Sequence, residues 1–260
     1  MKPIVSFDVD MTLLDHKDWQ IPASALDTIE KLRENYIIVL ATGRDMDSVF
    51  STVIRDQVRP DAVIHLNGTK VTVGDEIIYE HTFDKQLLKQ ILSYAEKTPY
   101  SVGTTVGNLD YYVHPDVVRN HDMRLWGQCG RVFADPYSLE RLEVRTMAYI
   151  GDEAGARAME EEFPEIHVHM FADKRGADVV ERKASKAMGL ARLCEYYKIS
   201  LAETTAFGDS MNDYDIIKAA GKGIAMGNAM EELKKAADYV TDPIDRDGIR
   251  NACLHFGMIR

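Results

Sequence analysis

The sequence predicts an α/β fold in which a doubly wound parallel sheet forms a core and a smaller α+β unit is inserted into it. Three observations support this prediction. Apolar segments alternate with segments of helical spacing in the first third of the chain, the middle loses this alternation, and the last third resumes it. We expect the core to comprise residues 1–81 and 176–260, and the inserted unit residues 82–175.

Three short, mostly apolar segments in the first third predict strands of the core sheet. They cover residues 4–7, 37–41 and 62–65. Strands of a parallel sheet are buried on both faces, which is why such segments show little alternation between polar and apolar residues. We therefore expect these segments to belong to one parallel sheet.

Helical spacing connects these strands. Apolar residues recur from Leu26 to Leu32, and Ser24 with Asp27 resembles a capping box at the start of this helix. A second helix is predicted around residues 49–53. The resulting order of strand, helix, strand and helix predicts helices on both faces of the sheet.

The middle and the end of the chain differ in the order of their elements. The middle combines helices with short segments rich in Val, Thr and Tyr, which indicates an α+β unit, and alternation returns after Ala177. The expected elements are helices around 87–92 and 155–163, a strand at 167–171, a helix around 190–194, a strand at 205–207, a helix ending at Gly221, a strand at 223–226 and a helix from about Met230.

The composition is that of a globular protein without a membrane partner. Hydrophobic residues make up 45% and charged residues 28% of the chain, and no apolar run is long enough to span a bilayer. The formal net charge of -11 argues against a nucleic-acid partner held by phosphate contacts. Cys129, Cys194 and Cys253 show no CxxC spacing, so we expect reduced thiols in a cytoplasmic protein.

The first polar motif, Asp8-Val9-Asp10-Met11-Thr12, follows the first predicted strand. Open α/β sheets bind their ligands at the carboxyl ends of strands. Two carboxylates two residues apart in a loop can converge on one site, where one attacks phosphorus and the other handles the leaving-group proton. A structural acid pair in a solvated loop is the alternative interpretation.

The second polar motif, Ala41-Thr42-Gly43-Arg44, follows the second strand. A hydroxyl group and free backbone amides at a strand-to-helix turn suit phosphate oxygens. The alternative is that Thr42 is an ordinary helix cap. Arg44 can pair with an acid or reach a substrate.

The third polar motif runs from Gly208 to Asp213 and follows the predicted strand at 205–207. Asp209 and Asp213 flank a turn and offer oxygen ligands to a hard divalent cation. Magnesium binds through one or two carboxylates, waters and substrate phosphate, so these residues predict a magnesium site. The loop lacks the alternating acids of an EF-hand, which argues against calcium.

A positive charge is also required beside a transferring phosphoryl group. Lys186 lies at the start of the helix that precedes the third motif. Taken alone it would be a surface lysine, but its place in the order of the motifs makes it the candidate.

Together these motifs resemble the haloacid dehalogenase (HAD) superfamily, specifically its Cof-type sugar phosphatases, which carry a large cap between the second and third motifs. The four motifs stand in the family's order, whereas the resemblance across the cap rests on size and position alone. Further matching segments are Leu66-Asn67-Gly68, Ile224-Ala225-Met226-Gly227-Asn228-Ala229, Ala237-Asp238-Tyr239-Val240-Thr241 and Asp247-Gly248-Ile249.

The resemblance implies a Rossmann-like core with an inserted C2-type cap, and a magnesium-dependent phosphatase that forms an aspartyl-phosphate. It makes Asp8 the nucleophile and a metal ligand, and Asp10 the general acid/base, whose backbone carbonyl also contacts the metal. It further implies Thr42 and Lys186 as phosphate-binding catalytic groups, Gly43, Arg44 and Asn212 as other phosphate or substrate contacts, and Asp209 and Asp213 as metal ligands. The implied substrate is a small phosphate ester, with sugar phosphates favoured, and we expect a monomer because the cap itself can close the site.

One residue departs from the family pattern, because Met11 stands where the subgroup usually has glycine. If the loop requires a positive φ at this place, methionine strains it, since only glycine is permissive there. Met11 would also narrow the entrance beside the phosphate.

Two alternative functions use the same core. A mutase usually carries a small helical cap near the first motif, which the short connection between Thr12 and Ser24 disfavours. A catalytically narrow or silent protein that binds a phosphate metabolite would normally have lost one of the residues that carry the chemistry, yet Asp8, Asp10, Lys186 and Asp209 are all present.

Overall fold

The computed structural model describes residues 2–48, 51–171 and 174–260. The chain divides into two compact units: a core unit, Met1–Glu80 with Ala184–Arg260, and an inserted unit, His81–Lys183. The strands are β1 (Ile4–Phe7), β2 (Ile37–Ala41), β3 (Ala62–His65), β4 (Lys70–Val73), β5 (Glu76–Glu80), β6 (Ser101–Val106), β7 (Leu109–Tyr112), β8 (Phe133–Ala134), β9 (Met147–Ile150), β10 (Ile166–Met170), β11 (Gly176–Glu181), β12 (Thr204–Gly208), β13 (Lys222–Ala225) and β14 (Tyr239–Val240). The α-helices are α1 (Ala23–Leu32), α2 (Thr52–Val58), α3 (Lys85–Ala95), α4 (Pro115–Trp126), α5 (Glu153–Glu162), α6 (Lys186–Tyr197), α7 (Tyr214–Ala219), α8 (Glu231–Ala236) and α9 (Gly248–His255).

The core unit is built on one sheet of eight strands in the order β14-β13-β12-β1-β2-β3-β4-β5. The strands from β14 to β3 pair in parallel, and β4 and β5 are added as an antiparallel edge. Every residue of β1 is buried, as expected for a central strand covered on both faces. The parallel sheet predicted from the sequence is therefore confirmed.

The direction in which the chain moves across this sheet reverses at β1. From β1 it proceeds through β2 to β3, whereas from β12 it proceeds through β13 to β14 on the other side. Right-handed crossovers in opposite directions place their helices on opposite faces. Accordingly, α1 packs against α2 and α9, while α7 packs against α6 and α8. The carboxyl ends of β1 and β12 thus form the topological switch point at which a doubly wound sheet binds ligands.

Aromatic packing fixes the two strands that flank this switch point. Phe7 and Phe207 are partners in the register of β1 and β12, and their rings stack with centroids 5.0 Å apart. Both side chains are buried, and burying a phenylalanine contributes about 1.5–3 kcal/mol. This packing lies next to Asp8 and Gly208, so it sets the relative position of the two loops that follow.

The inserted unit has its own six-stranded sheet in the order β10-β11-β9-β6-β7-β8. Its pairs are antiparallel except for β7 with β8. Helix α3 packs on β6, and α5 packs on β10. Their buried side chains form a second hydrophobic core, which includes Leu88, Val102, Tyr149 and Met159.

The boundary after the inserted unit differs from the predicted one at residue 175. Strand β11 pairs with β10 and β9, so it belongs to the inserted sheet. The unit consequently ends at Lys183, and at its other end it begins at His81 rather than at residue 82. An isolated strand sequence does not reveal which sheet it joins.

The predicted cap of α1 is wrong, helix α4 was missed, and one predicted helix falls partly outside the described residues. Ser24 with Asp27 forms no capping box, because α1 already begins after Pro22 and no side chain caps it. Helix α4 was not predicted, since only Val118 and Asp122 of its residues are buried and its apolar spacing is weak. Of the helix predicted around residues 49–53, Val49 and Phe50 lie outside the described residues.

The described helices are all too short or too polar to cross a membrane.

Candidate active site

The polar residues singled out in the sequence lie at the carboxyl ends of β1, β2 and β12 and at the first residue of α6. The backbone N–H of Asp8 donates to the carbonyl of Phe207 at 3.0 Å, which ties the first motif to the start of the third. The structure brings Asp8, Asp209, Asp213 and Lys186 together, and it places Asp10 with Arg44 beside them through a separate set of hydrogen bonds.

Lys186 is the buried positive charge of the site. Its Nζ donates to Oδ1 of Asp8 and to Oδ1 of Asp213, both at 2.6 Å. The lysine is only 1% exposed and Asp8 only 5%. A buried ion pair of this kind is costly to break, because the remaining charge has no compensation. Lys186 therefore holds the carboxylate of Asp8 in one orientation.

A turn in the core unit positions Lys186. Leu66, Asn67 and Gly68 all have positive φ, and a Cβ on Gly68 would lie 2.0 Å from the carbonyl oxygen of Ser185. The hydroxyl of Ser185 in turn accepts from the N–H of Met188 and caps α6. The motif Leu66-Asn67-Gly68 thus lets the start of α6 approach the strand ends closely.

The loop after β12 is held by its own carboxylates. Oδ2 of Asp213 accepts from the backbone N–H groups of Asp209 and Ser210, at 3.0 and 3.2 Å. The hydroxyl of Thr12 donates to Oδ1 of Asp209 at 2.9 Å. A Cβ on Gly208 would lie 2.5 Å from that of Asp213. Asp213 is fully buried, and its carboxylate organises the loop through these two backbone bonds. The bond from Thr12 joins Asp209 to the first motif.

The charges of this cluster do not balance. Asp8, Asp209 and Asp213 can each offer an oxygen within 4.8 Å of the others, and three carboxylates with one ammonium leave two negative charges in excess. Burial and the charge of Asp213 raise the pKa of Asp8 to about 7. Burial and the charge of Asp8 raise the pKa of Asp209 well above its usual range. An excess of two negative charges on oxygen ligands fits a hard divalent cation such as Mg²⁺.

Lys186 stays protonated in this setting. Burial opposes its charge, but the adjacent carboxylates of Asp213 and Asp8 outweigh this effect and raise the pKa of Lys186.

Asp10 has a different environment from Asp8. Arg44 donates to both of its carboxylate oxygens, with Nε 2.7 Å from Oδ2, and His16 Nε2 lies 2.7 Å from Oδ1. Burial opposes ionisation of Asp10, but these hydrogen bonds hold the pKa of Asp10 well below its usual range. The pKa values of these two carboxyl groups of one motif are thus shifted in opposite directions, that of Asp8 upward and that of Asp10 downward.

The hydroxyl of Thr42 serves the local turn, since it accepts from the N–H of Arg44 at 3.0 Å. The N–H of Thr42 donates to Ile64, and its carbonyl accepts from Asn67. Gly43 lies between Thr42 and Arg44 in this turn and is partly exposed. The second motif is therefore held against β3 and the turn that positions Lys186.

Asn212 also links two loops. Its Nδ2 donates to Oδ1 of Asn67 at 3.0 Å, and its Oδ1 accepts from the hydroxyl of Ser210 at 2.7 Å. These bonds tie the third motif to the turn before the inserted unit. The contact of Asn212 with phosphate that the sequence analysis expects stays a prediction.

Met11 has a φ of +59°. The positive φ that the sequence analysis considered is therefore present, at a cost of about 1–2 kcal/mol for a residue other than glycine. Nδ2 of Asn228 donates to the carbonyl of Met11 at 2.8 Å, and Oδ1 of Asn228 accepts from Ile244. These bonds stabilise the strained loop, and they give a role to the Asn228 of the matching segment 224–229.

Sequence reasoning missed His16 entirely. No motif includes it, because its contact with Asp10 depends on how the loop after the first motif folds back. The contact of Arg44 with an acid was one of two interpretations, and the structure shows it with Asp10.

The chain is similar to a known protein family, to phosphatase sequences and to solved phosphatase structures. The family model of haloacid dehalogenase-like hydrolases matches residues 5–253. Phosphatase YwpJ of Bacillus subtilis is 29% identical over 287 residues, which cover 97% of this chain and 99% of that protein. The solved structure of the HAD subclass IIB sugar phosphatase BT4131 is 28% identical, covers all of both chains and has a TM-score of 0.88. That of the phosphatase BT1666 from Bacteroides thetaiotaomicron is 29% identical, covers 100% of this chain and 96% of that chain, and has a TM-score of 0.90.

Proposed function

Because the chain belongs to the haloacid dehalogenase-like hydrolases, we propose that it is a magnesium-dependent phosphatase that hydrolyses small phosphate monoesters through an aspartyl-phosphate on Asp8. The observation that carries this proposal is the buried contact of Asp8 with Lys186 inside a cluster of three carboxylates at the switch point of the sheet. A nucleophile for a phosphate dianion needs such a compensated negative charge.

In the first step an oxygen of Asp8 attacks phosphorus. The new bond between Asp8 and phosphorus forms as the bond from phosphorus to the leaving oxygen breaks, and Asp10 gives a proton to that oxygen. Asp10 must take up this proton before the step, and the released alcohol carries it away. Lys186 fixes the attacking carboxylate and keeps a positive charge beside it.

In the second step a water molecule replaces Asp8. Asp10, now ionised, takes a proton from the water, whose oxygen bonds to phosphorus as the bond to Asp8 breaks. Inorganic phosphate leaves, Asp8 is again a free carboxylate, and Asp10 holds a proton as it did at the start of the first step. The low pKa of Asp10 favours the ionised form that this step requires, so the protonated form used in the first step is the less stable one in the free protein.

The carboxylates of Asp8, Asp209 and Asp213, with the backbone carbonyl of Asp10, would hold Mg²⁺. When bound, the ion neutralises charge on the phosphoryl oxygens as a Lewis acid. Both oxygens of Asp213 already accept hydrogen bonds, from Lys186 and from two backbone amides. This supports a role for Asp213 through orientation or through a water ligand.

The phosphate oxygens would be bound by the hydroxyl of Thr42, the turn at Gly43 and Arg44, Lys186 and the amide of Asn212. Partial exposure of Gly43, Arg44 and Asn212 supports this assignment. Thr42 and Asn212 would then exchange part of their present hydrogen bonding for phosphate.

Sugar phosphates are the favoured substrate class, and we assign selection of the leaving group to the inserted unit. The similarity to a subclass IIB sugar phosphatase supports the class. A relative that is 24% identical, YitU of Bacillus subtilis, is a 5-amino-6-(5-phospho-D-ribitylamino)uracil phosphatase, so other phosphate monoesters belong in the test. We also propose that the protein is cytoplasmic, in keeping with its three free cysteines, and that it is a monomer.

The experiment is phosphate release from p-nitrophenyl phosphate and a panel of sugar phosphates, with Mg²⁺ or with EDTA. Asp8→Asn is compared with native protein, and Asp215→Asn serves as a matched control because Asp215 is an exposed acid on α7 outside the site. We expect Mg²⁺-dependent turnover that Asp8→Asn abolishes and Asp215→Asn retains. Absence of turnover in folded native protein that binds Mg²⁺ would contradict the proposal and point to a binding protein.

A further inference from the structure

His16 joins the candidate active site from outside every recognised motif. Its Nε2 lies 2.7 Å from Oδ1 of Asp10, and its side chain is 39% exposed. The contact spans only six residues of sequence, but it depends on the turn formed by Asp15 to Gln20. The histidine thus approaches Asp10 from a segment that belongs to neither β1 nor β2.

This turn is closed by its own backbone. The N–H of Asp15 donates to Gln20 at 2.9 Å, and the N–H of Trp19 donates to Asp15 at 2.8 Å. Trp19 has a φ of +58°, a left-handed conformation that costs a bulky residue of order 1–3 kcal/mol. Such strain persists only where the surroundings enforce it, and here the conformation brings the indole onto His16.

The indole fixes the orientation of the imidazole. The rings of His16 and Trp19 stack with centroids 4.5 Å apart and planes inclined by 19°. A ring held in this way has little rotational freedom, so its Nε2 stays directed at Asp10. Trp19 is itself 51% exposed, so hydrophobic burial does not explain its position.

Asp10 is consequently held from two sides. Arg44, at the end of β2, donates to both oxygens, and His16 adds a second partner to Oδ1. Opposite a carboxylate that already accepts from the guanidinium of Arg44 on both oxygens, the Nε2–H of His16 is the donor to Oδ1. Without His16, the side-chain partners of this carboxylate among the residues that the structure describes would be reduced to Arg44.

We propose that His16, oriented by Trp19, is a positioning residue that holds the carboxyl group of Asp10 in line with the leaving oxygen. The inference rests on the proposed phosphatase function. His16 does not touch the reacting phosphorus; it acts through Asp10. It therefore matters most for esters whose leaving oxygen needs a proton.

Esters with different leaving groups distinguish a positioning role of His16 from a general structural role. Nitrophenolate is a weak base and departs without a proton, whereas an alkoxide needs general acid assistance. The esters p-nitrophenyl, phenyl and benzyl phosphate are similar in size but differ in the basicity of the leaving oxygen. Comparing them isolates the contribution of Asp10 to the first step, which kcat/KM reports.

The experiment measures kcat/KM for these three esters with native protein, His16→Leu, His16→Gln, Trp19→Ala and His255→Leu. His255→Leu is the matched control, since His255 is exposed and stacks on Tyr239 with centroids 4.5 Å apart, far along the chain from the motifs. General acid catalysis contributes about 100- to 10,000-fold, so loss of positioning in His16→Leu should lower kcat/KM for benzyl phosphate roughly 10- to 100-fold. The decrease for p-nitrophenyl phosphate should stay below about threefold.

Two further variants sharpen the result. His16→Gln keeps an N–H donor and should restore most of the activity on benzyl phosphate. Trp19→Ala should reproduce part of the selective loss, and His255→Leu should leave all three esters unchanged. A loss of the same size on all esters, or no loss on any, would overturn the positioning role while leaving the phosphatase function intact. No hydrolysis of p-nitrophenyl phosphate or of any member of the sugar phosphate panel by native protein would instead refute the phosphatase function, and the inference with it.

Discussion

The carbonyl of Ser185 lies so close to Gly68 that a Cβ on this glycine would come within 2.0 Å of its oxygen. Ser185 precedes Lys186, the lysine that contacts Asp8, and Gly68 belongs to the turn after β3. A glycine before the inserted unit thereby controls the position of a charged group after it. The two halves of the core meet at this contact.

Gly68→Ala should therefore destabilise the protein and displace Lys186. The new Cβ meets the backbone of Ser185, and Gly68 has a φ of +95°, so we expect a loss of about 3 kcal/mol or more in the free energy of unfolding. Gly74→Ala is the control, because Gly74 also has a positive φ (+55°) but open space around its Cβ. It should cost only about 1–2 kcal/mol. Urea unfolding measures both, and equal losses would contradict the role of the close approach.

Lys186→Met should abolish activity and reduce stability. It leaves Asp8 and Asp213 buried without their shared ammonium, and removing one partner of a buried pair typically costs about 3–5 kcal/mol. Lys218→Met, on the exposed side of α7, should change stability by less than about 0.5 kcal/mol. Thermal unfolding in EDTA and phosphate release test the two effects. Native-like stability of Lys186→Met would show that the contacts of Lys186 with Asp8 and Asp213 contribute nothing to the free energy of unfolding.

Asp209→Asn should change stability in opposite directions with and without Mg²⁺. Burial and the charge of Asp8 raise the pKa of Asp209, so its ionised form is unfavourable in the metal-free protein at neutral pH. Asparagine removes that charge while retaining an oxygen for the hydrogen bond from Thr12. In EDTA the variant should be at least as stable as native protein. With Mg²⁺ at a hundred times its Kd, native protein should gain about 2.7 kcal/mol and the variant much less.

Calorimetric unfolding with EDTA and with Mg²⁺ checks this reversal. Asp215→Asn, which replaces an exposed carboxylate, should respond to Mg²⁺ as native protein does. A variant that gains as much stability as native protein from Mg²⁺ would exclude Asp209 as a ligand.

The thiols should react in a fixed order. Burial raises the pKa of Cys253 to about 12 and of Cys194 to about 11, so at pH 8 both remain neutral in the folded protein. Only Cys129, which is partly exposed, should react rapidly with dithiobis(nitrobenzoic acid), and the others should react after unfolding. Cys129→Ala should leave no rapidly reacting thiol. Fast reaction of all three in native protein would contradict the buried positions.

The raised pKa of Cys253 also predicts how the free energy of unfolding changes with pH. A raised pKa means that the folded state retains the proton more strongly than the unfolded state, whose thiol has a pKa near 9.0. The resulting stability is complete below pH 9 and is lost as the pH rises towards 12. The stability advantage of native protein over Cys253→Ala should therefore shrink above pH 9, as urea unfolding at several pH values would show.

Local patterns in the sequence determined the core of this protein. Residues 4–7, 37–41 and 62–65 are strands as predicted, because burial on both faces requires continuous apolar runs. The motifs at Asp8, Thr42 and Asp209 follow strand ends, where parallel topology brings them together. The cluster of Asp8, Asp209, Asp213 and Lys186 could thus be anticipated from order and position.

Only the tertiary structure decided how the remaining groups are used. Strand β11 joins the inserted sheet because its partners are β9 and β10, which no local pattern states. Asn212 pairs with Asn67, 145 residues away. Arg44 and His16 both contact Asp10 because two separate loops fold towards it. Secondary structure follows from neighbouring residues, whereas the partner of a polar side chain depends on which loops meet in space, and that is set by the packing of the whole unit.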